Sequence, residues 1–151
     1  MDQITLYSIG HSNAPTERLV ALLRRYAIAT LCDVRSTPYS RYNLQFNREA
    51  LAASLRSTGI VYRYLGDALG GLPDATANRT AQTFEQGIEQ LLALGALAPT
   101  AFMCGEADYR SCHRHKLITP ALIERGAVVE HILADGSLER GWIEPRQMQM
   151  F

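Results

Sequence analysis

Apolar positions along this chain fall into short strand-like runs separated by helical stripes. Ile4–Ile9 is the first run and closes on Gly10-His11-Ser12. Leu19, Leu22, Leu23 and Tyr26 then recur at helical spacing and predict an amphipathic helix. Thr30–Val34 predicts a second strand, closing at Arg35. A second helix is expected from about Asn47, a good N-cap residue, with Phe46 and Leu51 at staple positions and Gly59 at its end. Ile60–Leu65 predicts a third strand, and the segment from Gly66 to Pro73 is too rich in glycine for a regular element. Phe84, Ile88, Leu91 and Leu92 share one face of a helix expected over Thr80–Leu97. Thr100–Met103 and Val128–Leu133 predict the fourth and fifth strands. The helix between them is expected to start at Ser111 or Cys112 and to break or restart at Thr119-Pro120, because proline suits a first helical turn and not an interior. Asp135-Gly136 reads as a turn, and residues 141–151 show no clear period.

Strands alternating with helices predict an α/β fold. The expectation is a single three-layer domain over residues 1–140, with a tail over 141–151. Its sheet is mainly parallel, of about five strands, with helices on both faces. Right-handed crossovers then bring every strand's C-terminal end to one edge. His11 and Ser12, Asp33 and Arg35, the glycines up to Gly70 and Gly71, and Cys104 with Glu106 all fall at that edge. Ligand sites of open α/β sheets lie there.

Composition narrows the function classes. The 15 basic and 15 acidic residues balance, which argues against a broad basic face for nucleic acid but not against a local site. No apolar run is long enough for a membrane span. The start Met1-Asp2-Gln3 lacks a basic signal region, and three cysteines without scaffold spacing suggest reduced thiols, so a cytoplasmic protein is expected.

The densest chemistry lies between Phe102 and Arg114, where two thiols, two carboxylates, an imidazole and two guanidiniums share a strand-to-helix junction. Cys112 near a helix N-terminus could carry a lowered pKa, and either it or Cys104 at a strand end could be a reactive thiol; simple packing is the alternative for both, and Cys32 reads as core. Arg114 precedes Leu117 and Ile118 at helical spacing and is expected to face inward, either in a salt bridge to Glu106 or Asp33 or with Arg35 and Arg41 around an anionic substrate. His11 is the foremost acid/base candidate by position, against the alternative of a capping histidine. His131 either is satisfied within its strand or lines the pocket floor. Cys104 with Arg110 six positions on matches the phosphate loop of cysteine phosphatases, but Glu106 and Asp108 would repel a dianion. A zinc site from Cys104, Cys112 and His113 has the wrong spacing, with seven residues between the thiols. Tyr39, Tyr42, Tyr62 and Tyr64 beside Arg35, Arg41 and Arg63 form an aromatic-basic pattern that suits base stacking or a covered sheet edge.

Several of these pieces occur together in a known group. Ile9-Gly10-His11-Ser12, Asp33-Val34-Arg35-Ser36 with Pro38 and Ser40-Arg41, Phe46, the segment Tyr62, Leu65-Gly66 and Gly70-Gly71, Cys104-Gly105-Glu106, Cys112-His113-Arg114, and His131-Ile132 before Asp135-Gly136 follow one another in order from Ile4 to Gly136. In this the chain resembles the Domain of Unknown Function 488 family. The resemblance implies a small cytosolic α/β domain of bacteria and archaea and implies no activity. Arg110 and the Thr119-Pro120 break depart from that pattern.

The expected function is an enzyme, a thiol- or histidine-assisted hydrolase or transferase. It would bind a phosphorylated, nucleotide or nucleic-acid-derived ligand without a cofactor or metal. His11, Glu106, Cys104, Cys112 and His113 are the catalytic candidates. Ser12, Asp33, Arg35, Ser40, Arg41, Gly70, Gly71, Arg114 and His131 are the ligand-binding candidates. The alternative is a non-catalytic nucleotide- or nucleic-acid-binding module.

Overall fold

Hydrophobic strands buried on both sides need cover on both sides, and the chain supplies it with helices. The structure, a computed structural model, describes residues 3–70, 81–112 and 114–143, and all their side chains except those of 114 and 115. Six strands form one sheet: β1 (Thr5–Gly10), β2 (Thr30–Asp33), β3 (Val61–Tyr64), β4 (Thr100–Cys104), β5 (Val128–Ile132) and β6 (Leu138–Arg140). Their order across the sheet is β3-β2-β4-β1-β5-β6, and only the β5–β6 pair is antiparallel.

Helices α1 (Thr16–Arg25) and α2 (Arg48–Arg56) cover one face through Leu19, Leu23, Leu51 and Leu55, packed on Ile9, Leu31 and Met103. Helices α3 (Gly66–Leu69), α4 (Ala81–Leu97) and α5 (Thr119–Glu124) cover the other through Leu69, Ile88, Leu91 and Leu122, packed on Leu6, Phe102 and Val129. The chain therefore leaves β1 towards one face and β4 towards the other. Because β1 and β4 are neighbours, this opens a crevice between their C-terminal ends, the usual binding place in such sheets.

Four expectations need correction. The segment from Gly66 onward is not wholly irregular: Gly66–Leu69 forms a helical turn that buries Leu69, with Ala68 and Leu69 N–H groups donating to the Leu65 carbonyl. The helix expected from Ser111 or Cys112 does not begin there. Asp108 caps a 3₁₀ turn, Tyr109–Ser111, and Cys112 is extended (φ −131°, ψ 157°). A π-helical turn, Arg114–Ile118, then leads into α5, whose first turn holds Pro120 where no N–H is required. Leu117 is consequently exposed while Ile118 is buried, so these two do not share an inward face. Third, β6 extends the sheet to six strands, a three-residue edge strand too short to show a period. Asn47 does precede α2, but its carboxamide oxygen accepts from the Ser40 N–H (2.6 Å) and caps no helical donor. The staple residues Phe46 and Leu51 are both fully buried.

Candidate functional site

The site starts from a clash that only glycine avoids. A Cβ at Gly10 would lie 1.7 Å from the Glu106 carbonyl oxygen, so the loops after β1 and β4 touch backbone to backbone. The ladder continues one step past each strand: His11 N–H donates to the Cys104 carbonyl (3.0 Å) and Ser12 N–H to the Gly105 carbonyl (2.9 Å). Ser12 turns the chain in the left-handed region (φ 52°). His11 is thereby set at the mouth of the crevice, its ring 4.5 Å from that of Phe46.

Beneath it lies a buried charge pair. Asp33, at the end of β2, is fully buried, and Arg35 is 8% exposed. Arg35 grips the carboxylate with two arms, Nε to Oδ1 (2.9 Å) and Nη2 to Oδ2 (2.8 Å). The Arg35 backbone N–H adds a third bond to Oδ1 (3.1 Å), and the Tyr62 hydroxyl donates to Oδ2 (2.6 Å). A buried ion pair is tolerated only when such further bonds satisfy it. Burial alone would lower the Arg35 pKa, but the bonds and charge of Asp33 raise it, so the guanidinium stays charged. Burial, then the Asp33 hydrogen bond, pushes the Tyr62 hydroxyl well above the ordinary tyrosine range.

Arg35 also reaches across the site. Nη2 donates to the Phe46 carbonyl (2.8 Å), and Nη1 donates to His11 Nε2 (3.2 Å). His11 Nδ1 meets the Ser12 carbonyl (2.6 Å). A carbonyl only accepts and a guanidinium only donates, so these partners specify neutral His11 with its proton on Nδ1. Any proton His11 takes up goes to Nε2. Of the five guanidinium N–H groups, four are engaged, and among the described residues one on Nη1 has no partner.

A cleft of about 450 Å³ opens over this assembly. His11, Arg35, Ser40, Cys104, Glu106 and Cys112 all line it, so six of the residues singled out from sequence converge. Ser36, Thr37, Tyr39, Gly105 and Ser111 complete the wall. A smaller hollow of about 260 Å³ adjoins it, lined by His11 and Ser12 with Leu19, Leu22 and Ile132. The two thiols also pack among Phe102, Ile118 and Leu122, and Cys104 Sγ lies 3.9 Å from the Glu106 carbonyl. Cys112 sits on extended backbone before the turn Arg114–Ile118, and its carbonyl accepts from the Lys116 N–H (3.4 Å). Cys32 is core, its thiol pushed up to about 12 by burial.

Other candidates lie apart. Arg41 is exposed and does not line the cleft. His131 is fully buried, stacked flat on Tyr109 (3.7 Å, 5°) and bonded to Ser8. Gly70 packs behind the cleft loop, where a Cβ would come within 2.6 Å of Ser36 Oγ. Gly71, His113 and the Arg114 side chain lie outside the described residues. Among the described residues, Asp33 is bonded by Arg35 and Tyr62. Among the described residues no three His, Cys, Asp or Glu side chains gather as a metal ion requires.

Thr37 and Ser111 of the hydroxyl wall were not among the sequence candidates, and Ser36, Phe46 and Tyr62 entered only through the family and aromatic-basic patterns. Ser36 and Thr37 directly follow Arg35, and that adjacency was the available signal.

Fold and site together define a mostly parallel α/β domain with a polar cleft at the C-terminal ends of β1 and β4. The model of the family described as domain of unknown function DUF488 matches residues 15–119, more than two thirds of the chain, and the protein belongs to that family. The matched span includes Asp33, Arg35, Ser40, Cys104, Glu106 and Cys112 and leaves His11 and His131 outside it. No curated protein and no solved structure matches the chain.

Proposed function

We propose that this protein is an enzyme that binds an anionic ligand, phosphorylated, nucleotide or nucleic-acid-derived, in the cleft over Arg35. The observation that carries this reading is the held guanidinium. Asp33, Phe46 and His11 hold it rigid at the cleft, and one Nη1 N–H has no partner among the described residues and can meet a ligand oxygen. A donor positioned in advance costs no reorganisation when charge arrives. Ser36, Thr37, Ser40 and Ser111 add neutral donors around the same space.

His11 is the proton carrier of this reading, with Nε2 turned to Arg35 beside Gly105. Glu106, exposed at the rim, is the second acid/base group, and Cys104 and Cys112 are the nucleophile candidates for a hydrolase or transferase. The competing reading is a binding module without chemistry. It is favoured by the engagement of His11 Nε2 with Arg35 and by the burial of both thiols.

Calorimetric titration with inorganic pyrophosphate and with nucleoside monophosphates tests the proposal. Binding to wild type should weaken about ten-fold or more in Arg35→Lys, because a lysine cannot reproduce the fork. Equal binding by both proteins, or none by wild type, overturns it. Turnover of a bound probe that vanishes in His11→Ala while binding persists identifies an enzyme. Retained turnover in that variant rules out His11 as proton carrier.

A further inference from the structure

Beside the cleft, the loop between β2 and α2 exposes side chains that a folded protein normally covers. Tyr39 is 51% exposed, Tyr42 88% and Leu44 63%, all within residues 39–44. The loop is nevertheless held in place. Ser40 Oγ accepts from the Tyr42 and Asn43 N–H groups (3.1 and 3.2 Å), and Ser40 N–H donates to Asn47. Gln45 Nε2 donates to the Ala14 carbonyl (3.1 Å), and the Phe46 carbonyl accepts from Arg35. The Tyr39 hydroxyl donates to Glu49 (2.9 Å), which fixes that ring at the cleft wall. Rings on an ordered loop make a prepared contact surface, because little conformational freedom is lost when they are covered.

The charges beside these rings identify the occupant. Arg41 is exposed within the loop, and Arg48 is exposed at its end, its guanidinium 4.4 Å from the Tyr64 ring centroid. The Glu49 carboxylate next to Arg48 in the chain is engaged by Tyr39. Exposed rings alternating with arginines suit a chain that carries flat faces and regular negative charge, and single-stranded nucleic acid is such a chain. The balanced charge of the whole protein does not oppose this, because the cationic groups are local. Tyr62 and Tyr64 do not take part: they are half-buried, their hydroxyls spent on Asp33 and on the Arg35 and Ser36 carbonyls.

We infer that residues 39–44 form a stacking platform for a single-stranded nucleic-acid segment, and that the cleft takes one nucleotide of that strand. This rests on the anion-binding reading of the cleft and extends it from a free ligand to a strand. Tyr42 and Leu44 lie outside the cleft lining, so they separate the two.

The test is fluorescence anisotropy of a labelled ten-nucleotide oligo-dT at low salt, beside calorimetry with thymidine monophosphate. Wild type should bind the oligonucleotide more tightly than the mononucleotide. Tyr42→Ala should weaken oligonucleotide binding about ten-fold or more and leave the mononucleotide unchanged, while Tyr42→Trp retains binding. Arg41→Ala should reduce the salt slope by about 0.7. Unchanged oligonucleotide affinity in Tyr42→Ala and Leu44→Ala overturns the platform. So does an oligonucleotide that binds no better than the mononucleotide, with the cleft reading intact. Tyr42-dependent strand binding without mononucleotide binding supports the platform and removes the cleft reading. A dimer seen by sedimentation that Tyr42→Ala dissociates, with no strand binding, assigns the loop to self-association and overturns the inference.

Discussion

Gly10 and Asp33 show how strongly single residues set this site. At Gly10 the missing Cβ lets the β1 and β4 loops meet, since any side chain would lie 1.7 Å from the Glu106 carbonyl oxygen. The obstacle is backbone and cannot swing aside. Gly10→Ala should therefore cost roughly 3 kcal/mol or more, read as a shift of the urea midpoint. Asp33→Asn leaves the buried Arg35 without a counter-charge and should cost about 3–5 kcal/mol. Tyr62→Phe removes one hydrogen bond from the same carboxylate and should cost only about 1 kcal/mol. Equal losses from these two variants would contradict the assignment of Arg35 as the dominant partner. The Asp33–Arg35 pair was within reach of sequence reasoning because the residues are two apart. The link from Arg35 to His11 was not, because those residues are 24 positions apart and meet only through the sheet.

At the scale of elements, the 3₁₀ turn Tyr109–Ser111 acts as a clasp between the cleft and the sheet edge. Tyr109 stacks on His131, and its hydroxyl donates to Glu139 of β6, which Arg110 also reaches (3.2 Å). The Tyr109 hydrogen bond, with Arg110 adding to it, holds the Glu139 carboxyl below the usual carboxylate range. A carboxyl with a lowered folded pKa stabilises the fold above its unfolded pKa and loses that effect as pH falls through the folded value. Glu139→Ala should free the turn at neutral pH and raise the alkylation rate of Cys112 several-fold, while Cys32 stays inert. Site-resolved mass spectrometry would show it, and an unchanged Cys112 rate would dismiss the clasp. No periodicity announced this device, because β6 has only three residues and gains its strand geometry by pairing with β5.

For the molecule as a whole, the parallel sheet places Cys32 and Tyr62 on adjoining strands, and folding keeps both protonated. The unfolded Cys32 thiol releases its proton near the ordinary thiol value of 9.0, whereas the folded one holds it to about 12. Between these values the folded state binds more protons, so stability falls as pH rises. Tyr62 acts in the same direction. Urea midpoints should decline from pH 9 to pH 11, and less steeply in Cys32→Ala. A flat profile in the wild type would mean that these groups are not buried as described. No helix among the described residues is long and apolar enough to cross a membrane.

The sequence by itself determined the order of the first five strands with the helices α1, α2 and α4 between them, and the collection of polar residues at one sheet edge. Both follow from periodicity, because burial on one face or two writes itself into local spacing. It also placed His11, Arg35, Ser40, Cys104, Glu106 and Cys112 as site candidates, and the structure brings all six to one cleft. Only the tertiary structure decided how they are used. Arg35 spends its fork on Asp33, His131 is withdrawn beneath Tyr109, and Cys112 closes the short turn that Asp108 caps. A buried charge or ring takes the partner that relieves its desolvation, and that partner is chosen by proximity in space rather than along the chain.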